Sequence, residues 1–211
     1  MDSEPPQAHQ EVMMHHLLRF IQQLRGGLLK TGQTTQYNSE LDDGYYEMGL
    51  ARQYAILTVG QYAGTTNVTV NAKTDVKTNN CVRDLVTGLM WSRTMSASVG
   101  PGNDGQMWWT GAVDDIFAYC AAANAANLGG HNDWRIPNRF ELESIYDYST
   151  FPCSPDTTAF PGWPTGVRVW SSTTLPDGTN NAFVIYGVNA RIWAEAKNSA
   201  RYCALVRGGR N

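Results

Sequence analysis

The run GGHNDWRIPNRFELESI, residues 129–145, limits what this chain can fold into more than any other stretch. Gly129-Gly130 stops a helix, because glycine takes the left-handed conformation that ends one at little steric cost. Asn138 then starts another. An N-cap asparagine followed three residues later by Glu141 is a capping box, in which two orphan backbone donors are satisfied reciprocally. Between stop and start, Trp134 and Ile136 enter the core. The segment therefore demands a helix, a tight crossing with an aromatic anchor, and a second helix. The same stretch also carries active-site residue types: His131, Asp133, Glu141 and Glu143. No HExxH or comparable ligand spacing joins them, and Glu141 is already claimed by the capping box. The structural reading is the stronger one, with Asp133 and Arg135 satisfying the backbone or each other.

The first of these helices is read over Thr110–Leu128, with Ala112, Ile116, Tyr119 and Ala123 near one face. Thr110 is its expected cap, and Asp114 and Asp115 sit favourably in its early positions. The second helix presents Leu142, Ile145 and Tyr146. Upstream, AILTVG (55–60) and NVTVNAKTDV (67–76) read as strands joined through the turn region at 62–66. In VRDLVTGLMW (82–91) a Thr-Gly turn separates a short strand from an apolar run. After Tyr148 comes a Pro/Gly-rich excursion, residues 150–167. VWSSTT, AFVIYGV, ARIWAEA and YCALVRG follow as an antiparallel meander. The pattern is α+β; the βαβ rhythm of a parallel sheet is missing.

Three parts are expected. Residues 1–27 are a polar tail and an amphipathic helix, Gln10–Arg25, whose stripe of Met14, Leu17 or Leu18, Ile21 and Leu24 needs a partner. That partner is the main domain or the same helix in another subunit. Residues 28–80 are an irregular and β lead-in packed on the main domain, and 81–211 are a ligand-binding domain. The other histidines, His9, His15 and His16, fall in the helical tail and read as solvent or packing residues.

Composition excludes several function classes. The net charge is −3, and no Lys/Arg cluster exists to displace counterions from a phosphate backbone, so no nucleic-acid partner is expected. No apolar run approaches the length of a membrane span. No secretory signal is visible, which suggests cytoplasmic synthesis, with a phage virion or surface display by a non-classical route as destinations. The chain has no G-x-S-x-G, P-loop or dinucleotide fingerprint. The turns PGNDG (101–105) and PDGTNN (176–181) could offer oxygens to a structural calcium, but neither is an EF-hand and turn chemistry explains both. No other cofactor or metal is expected.

The four cysteines, Cys81, Cys120, Cys153 and Cys203, match no zinc signature. Cys120 lies on an apolar helix face and Cys203 inside an apolar strand, so a bridge between them is geometrically reasonable. Cys81 and Cys153 pair or stay free. Trp91, Trp109, Trp134 and Trp170, with the cap residues Asn138 and Glu141, read as structural. The C-terminal third is different in kind. Arg168, Asn181, Tyr186, Asn189, Arg191, Trp193, Glu195 and Asn198 combine aromatics with Arg and Asn, the composition of adaptable binding surfaces. They are the candidate ligand contacts.

In order and spacing, RDLVTGLMW (83–91), Trp109, Ala112, Cys120, the 129–145 run, VWSST (169–173) and YCALVRGG (202–209) resemble one family. It is that of the C-terminal domain of the Legionella collagen-like adhesin; TGQTTQY (31–37) resembles a lead-in found in such proteins. The resemblance implies a C-type-lectin-like fold, two helices around a small twisted antiparallel sheet with long loops. It also implies a Cys120–Cys203 pair of the kind that often bridges there, and binding of a protein or glycan on a cell or virus surface without a catalytic set. The chain lacks the Glu-Pro-Asn, Gln-Pro-Asp and Trp-Asn-Asp triplets of calcium-dependent lectins. Variable proteins of diversity-generating retroelements also use the fold, and the Tyr/Asn/Trp/Arg-rich ending resembles theirs. The alternatives are an enzyme of the formylglycine-generating type with a reactive cysteine pair, and a structural subunit that forms a homo-oligomer through the N-terminal helix.

Overall fold

The computed structural model describes residues 28–37, 42–47, 49–57, 65–78, 81–111 and 113–208. The expected N-terminal helix lies outside these residues. Where they are described, the elements are short, as turn-rich sequence requires. They are strand β1 (Tyr54–Leu57), the hairpin β2 (Thr65–Val70) and β3 (Lys73–Thr78), the hairpin β4 (Cys81–Asp84) and β5 (Leu89–Ser92), and strands β6 (Arg168–Thr174), β7 (Asn181–Tyr186), β8 (Arg191–Ala196) and β9 (Val206–Gly208). Helix α1 (Asp43–Tyr46) is one turn, α2 spans Ile116–Ala125, and α3 spans Arg139–Ser144. Every strand pair is antiparallel, in sheets of order β1-β4-β5-β9, β2-β3 and β6-β7-β8. The class is α+β.

The 129–145 run folds as its sequence demands. The Asn138 side chain accepts from the N–H groups of Phe140 and Glu141, and Glu141 accepts from the Asn138 N–H, closing the capping box. Leu142, Ile145 and Tyr146 are fully buried. At the crossing, the Trp134 indole donates to Leu128 O, while the Asn124 amide both donates to and accepts from the Trp134 main chain. Gly129 has φ +58°, and a Cβ there would sit 2.2 Å from the Cys81 sulfur, so glycine is required by packing as well as by conformation. The helix itself ends earlier, at Ala126 and the left-handed Asn127, and the glycine pair forms a single 3-10 turn.

Four expectations are corrected. Helix α2 starts at Ile116 with Asp115 as its cap, accepting from Phe117 and Ala118, and not at Thr110. The residues before it are claimed elsewhere. Met107 and Arg201 exchange backbone hydrogen bonds (2.7 and 2.9 Å) and Trp109 N–H donates to Lys197 O. NVTVNAKTDV is not one strand but a hairpin, turning at Asn71-Ala72, both with positive φ. Strand β1 pairs with β4 instead. The final run leaves the meander, and β9 closes the four-stranded sheet against β5.

Two apolar clusters fill the interior. One joins α2 to the β2–β3 hairpin through Val68, Val70, Ile116, Tyr119 and Ala123. The hairpin also delivers Lys77, 1% exposed, whose ammonium donates to Thr94 O and Met95 O and pairs with Asp75, which accepts from the Tyr119 hydroxyl. A buried charge is tolerable only when satisfied in this way. The second cluster lies under the Pro/Gly-rich excursion, which is not a free loop. Phe160 stacks edge-on with Tyr54, Trp91 and Trp163, and Arg93 ties down the carbonyls of Thr158 and Ala159. Among the described residues, no helix is long and apolar enough to cross a membrane.

Candidate ligand-binding surface

Sheet β6-β7-β8 positions the candidate contacts. Opposed residues share a face, and faces alternate along each strand. Arg168, Tyr186 and Arg191 form one cross-strand row; Trp170, Val184 and Trp193 form the next row on the same face, and Ala182 and Glu195 a third. The opposite face carries Val169, Ile185 and Ile192 into the second apolar cluster, and Phe183 toward α3. Both sides are packed in part: on the first, Trp170, Val184 and Ala182 enter the first apolar cluster, and the Arg168–Tyr186–Arg191 row with Trp193 is what that side leaves accessible.

The accessible part is graded. Trp170 is fully buried, its indole donating to Met107 O, so the β6 end is covered by the 106–109 segment. Strand β8 is an edge, mostly exposed, and Trp193 stands 48% exposed on it. The Arg191 guanidinium lies 5.6 Å from the Trp193 ring centroid, and Arg168 lies 5.4 Å from that of Tyr186. Stacking of this kind holds long cations in place while leaving N–H donors outward. Glu195 links the rows, ion-paired with Arg168 at 3.0 Å and accepting from Arg201 Nε at 2.5 Å. Beside it opens a cleft of ≈ 390 Å³ lined by Gln106, Arg168, Tyr186, Arg201 and Tyr202 among others.

Five of the eight expected contacts therefore converge: Arg168, Tyr186, Arg191, Trp193 and Glu195. Three do not. Asn181 pairs with Ala196 on the opposite face, Asn189 is a turn residue whose Oδ1 accepts from Arg191 N–H, and Asn198 sits in the turn after β8. Arg201, Gln106 and Tyr202 were not among the expected contacts, because a backbone pairing between distant segments brings them in. A further aromatic group lies nearby: the Lys197 ammonium sits 3.9 Å from the Trp109 ring centroid, with Phe117 edge-on at 4.9 Å, and the Trp109 indole donates to Ser171 O.

The 129–145 run makes the opposite use of its charges. Arg135 grips Glu141 with two hydrogen bonds of 2.6 Å, and Arg207 holds Asp133 at 2.5 and 3.0 Å. Asp133 and Arg135 thus pair with other partners, not with each other. The Arg207 hydrogen bonds hold the Asp133 carboxyl below its usual pKa, and desolvation lowers that of His131. All four cysteines are buried free thiols. The expected Cys120–Cys203 bridge is not formed: Cys120 donates to Trp134 O and Cys203 to Ala204 O. Burial pushes Cys81 up to about 12 and Cys120 up to about 11, and raises Cys203 as well. Among the described residues, no group of three His, Cys, Asp or Glu is placed to hold a metal. In the PGNDG turn, Asp104 accepts from the backbone and side-chain amides of Gln106.

The model of the Lcl C-terminal domain matches residues 80–207, a span running from β4 into β9 and holding α2, α3 and the whole β6–β8 face. The chain belongs to the Lcl C-terminal domain family. No curated protein matches it. In this Lcl C-terminal domain, β1 and the β2–β3 hairpin precede the matched span yet pack into it, through β4 and α2 respectively.

Proposed function

We propose that this chain is a non-catalytic, adhesin-like binding protein that engages its ligand through the outer face of β6-β7-β8. The observation that carries the reading is the row Arg168–Tyr186–Arg191 with Trp193 beside it on an edge strand. Rigid aromatic faces give contact area at low entropic cost, and stacked guanidiniums add directional donors. The ligand is a protein or glycan on a cell or virus surface, and the domain is of the C-type-lectin-like kind. Support for a non-catalytic role comes from the thiols, which burial keeps protonated near neutral pH and so poorly nucleophilic. Replacing Tyr186, Arg191 and Trp193 together with Ala should cut capture of surface glycans or cells at least tenfold while the far-ultraviolet circular dichroism stays unchanged. Unchanged capture would sink the assignment.

A retroelement-diversified variant of the same role is supported by one observation. On β8 the exposed Arg191 and Trp193 flank Ile192, which packs on the second apolar cluster, so those two positions could vary without disturbing the inner face. A neighbouring reverse-transcriptase gene with an adenine-mismatched repeat of the 3′ coding region is the expected accompaniment. A neighbourhood without one rejects diversification and leaves the binding role standing.

A further inference from the structure

Glu195 is an odd residue for a cationic surface. It is the one carboxylate paired to either of the cleft arginines among the described residues, and it serves both: Arg168 at 3.0 Å and Arg201 at 2.5 Å. Against it stand Arg168 and Arg201, two cations on one anion. The glutamate side chain is 14% exposed, whereas Arg168 is 42% exposed and faces the cleft with Tyr186. Each guanidinium carries more N–H donors than one carboxylate can use. Two guanidiniums converging on one carboxylate, each through a single nitrogen to a different oxygen, describe a site shaped for that group. The pair is also held from behind. Arg168 rests on the Tyr186 ring, and Arg201 donates to Ala200 O while its backbone is locked to Met107. The arginines would therefore keep their places if the glutamate moved, and the glutamate projects from an edge strand.

We propose that Arg168 and Arg201, which line the cleft, form a carboxylate subsite whose resident partner is Glu195, an internal competitor that an acid-bearing ligand displaces. The inference rests on the β6–β8 face being the binding surface, and it deepens that reading by naming the chemical group recognised. An intramolecular carboxylate acts at a high effective concentration, so it weakens an external acid while keeping the two arginines apart and oriented. Glu195 then sets selectivity: a neutral ligand cannot compete for the arginines, and an acid can. Gln106 and Tyr202 also line the cleft and offer polar groups to the remainder of the ligand.

The test uses the full chain and three probes: D-glucuronate, N-acetyl-aspartate amide and, as the neutral control, D-glucose. Binding is read by titration calorimetry and by the side-chain Nε–H resonances of Arg168 and Arg201. Glu195→Gln is expected to bind at least one of the two acids about tenfold more tightly than the unaltered chain, and glucose to neither. Which acid binds tells whether the carboxylate arrives on a sugar or on a peptide. Glu195→Gln combined with Arg201→Gln should lose the gain. Should Glu195→Gln fail to fold, the unaltered chain decides alone: an acid must shift both arginine resonances where glucose shifts neither. Equal response to glucose, or no response to either acid at millimolar concentration, overturns the proposal. That result beside intact sensitivity of ligand capture to the Tyr186, Arg191 and Trp193 replacements would remove the carboxylate subsite alone. Insensitivity of capture to those replacements removes the binding face as well.

Discussion

The 129–145 crossing and the β6–β8 face carry similar side chains and use them in opposite ways. In the crossing, Arg135 is clamped to Glu141, Asp133 to Arg207, and the Trp134 indole to Leu128 O. Each of these polar groups is matched by one already in the fold, and the Trp134 ring is 3% exposed. On the sheet, Arg168 and Arg191 lie on aromatic rings, Arg168 with Glu195 as its ion-pair partner, and Trp193 is half exposed. A dense cluster of chemically able residues is therefore no sign of chemistry. What separates the two regions is whether the aromatic and guanidinium groups are buried or stand exposed at a sheet edge.

That contrast can be broken by mutation. The largest effect is expected at Trp134→Ala, which should cost about 3–5 kcal/mol of stability in thermal or urea unfolding, as core tryptophan truncations do. A cost under about 1 kcal/mol would show that the crossing is not the anchor. Next comes Asn138→Ala, expected to lose roughly 1 kcal/mol by removing a cap that two N–H groups use. Trp193→Ala should move stability by no more than about 0.5 kcal/mol, as surface replacements do, while weakening ligand capture severalfold. A large drop in melting temperature for Trp193→Ala would mean that the face is structural. The smallest effect concerns pH. Arg207 holds the folded pKa of Asp133 below its unfolded value. Its contribution is then complete above the unfolded value and is lost as pH falls through the folded one. Asp133→Asn should flatten the acid arm of the stability profile slightly, below about pH 4, because the group is largely exposed.

Legibility in the sequence followed the range of the interactions. The capping box at Asn138, the β4–β5 hairpin and the inward Leu142, Ile145 and Tyr146 rest on contacts a few residues apart, and each was readable. The start of α2 was not, because Met107 and Trp109 are held by Arg201 and Lys197 from almost the other end of the chain. The Asn71-Ala72 turn was hidden for another reason: alanine at positive φ gives no glycine signal. The departure of β9 from the meander is set by its register with β5, which no local pattern encodes. On the candidate face, the shared side of Arg191, Trp193 and Glu195 was legible because they recur every second residue on one strand. Asn189 and Asn198 fall in turns instead, since turn chemistry and binding chemistry favour the same amide. Arg201 reaches the cleft through a long-range pairing, and only geometry reveals it.

The contrast between the two regions is tested most directly by hydroxyl-radical footprinting with bound ligand. Tyr186 and Trp193 lie on the proposed face, whereas Phe140, 68% exposed, projects from α3 beside the crossing. Ligand is expected to protect Tyr186 and Trp193 and to leave Phe140 as reactive as in the free chain. Protection of Phe140 with Tyr186 and Trp193 unchanged would place binding at the crossing and contradict the assignment of the sheet.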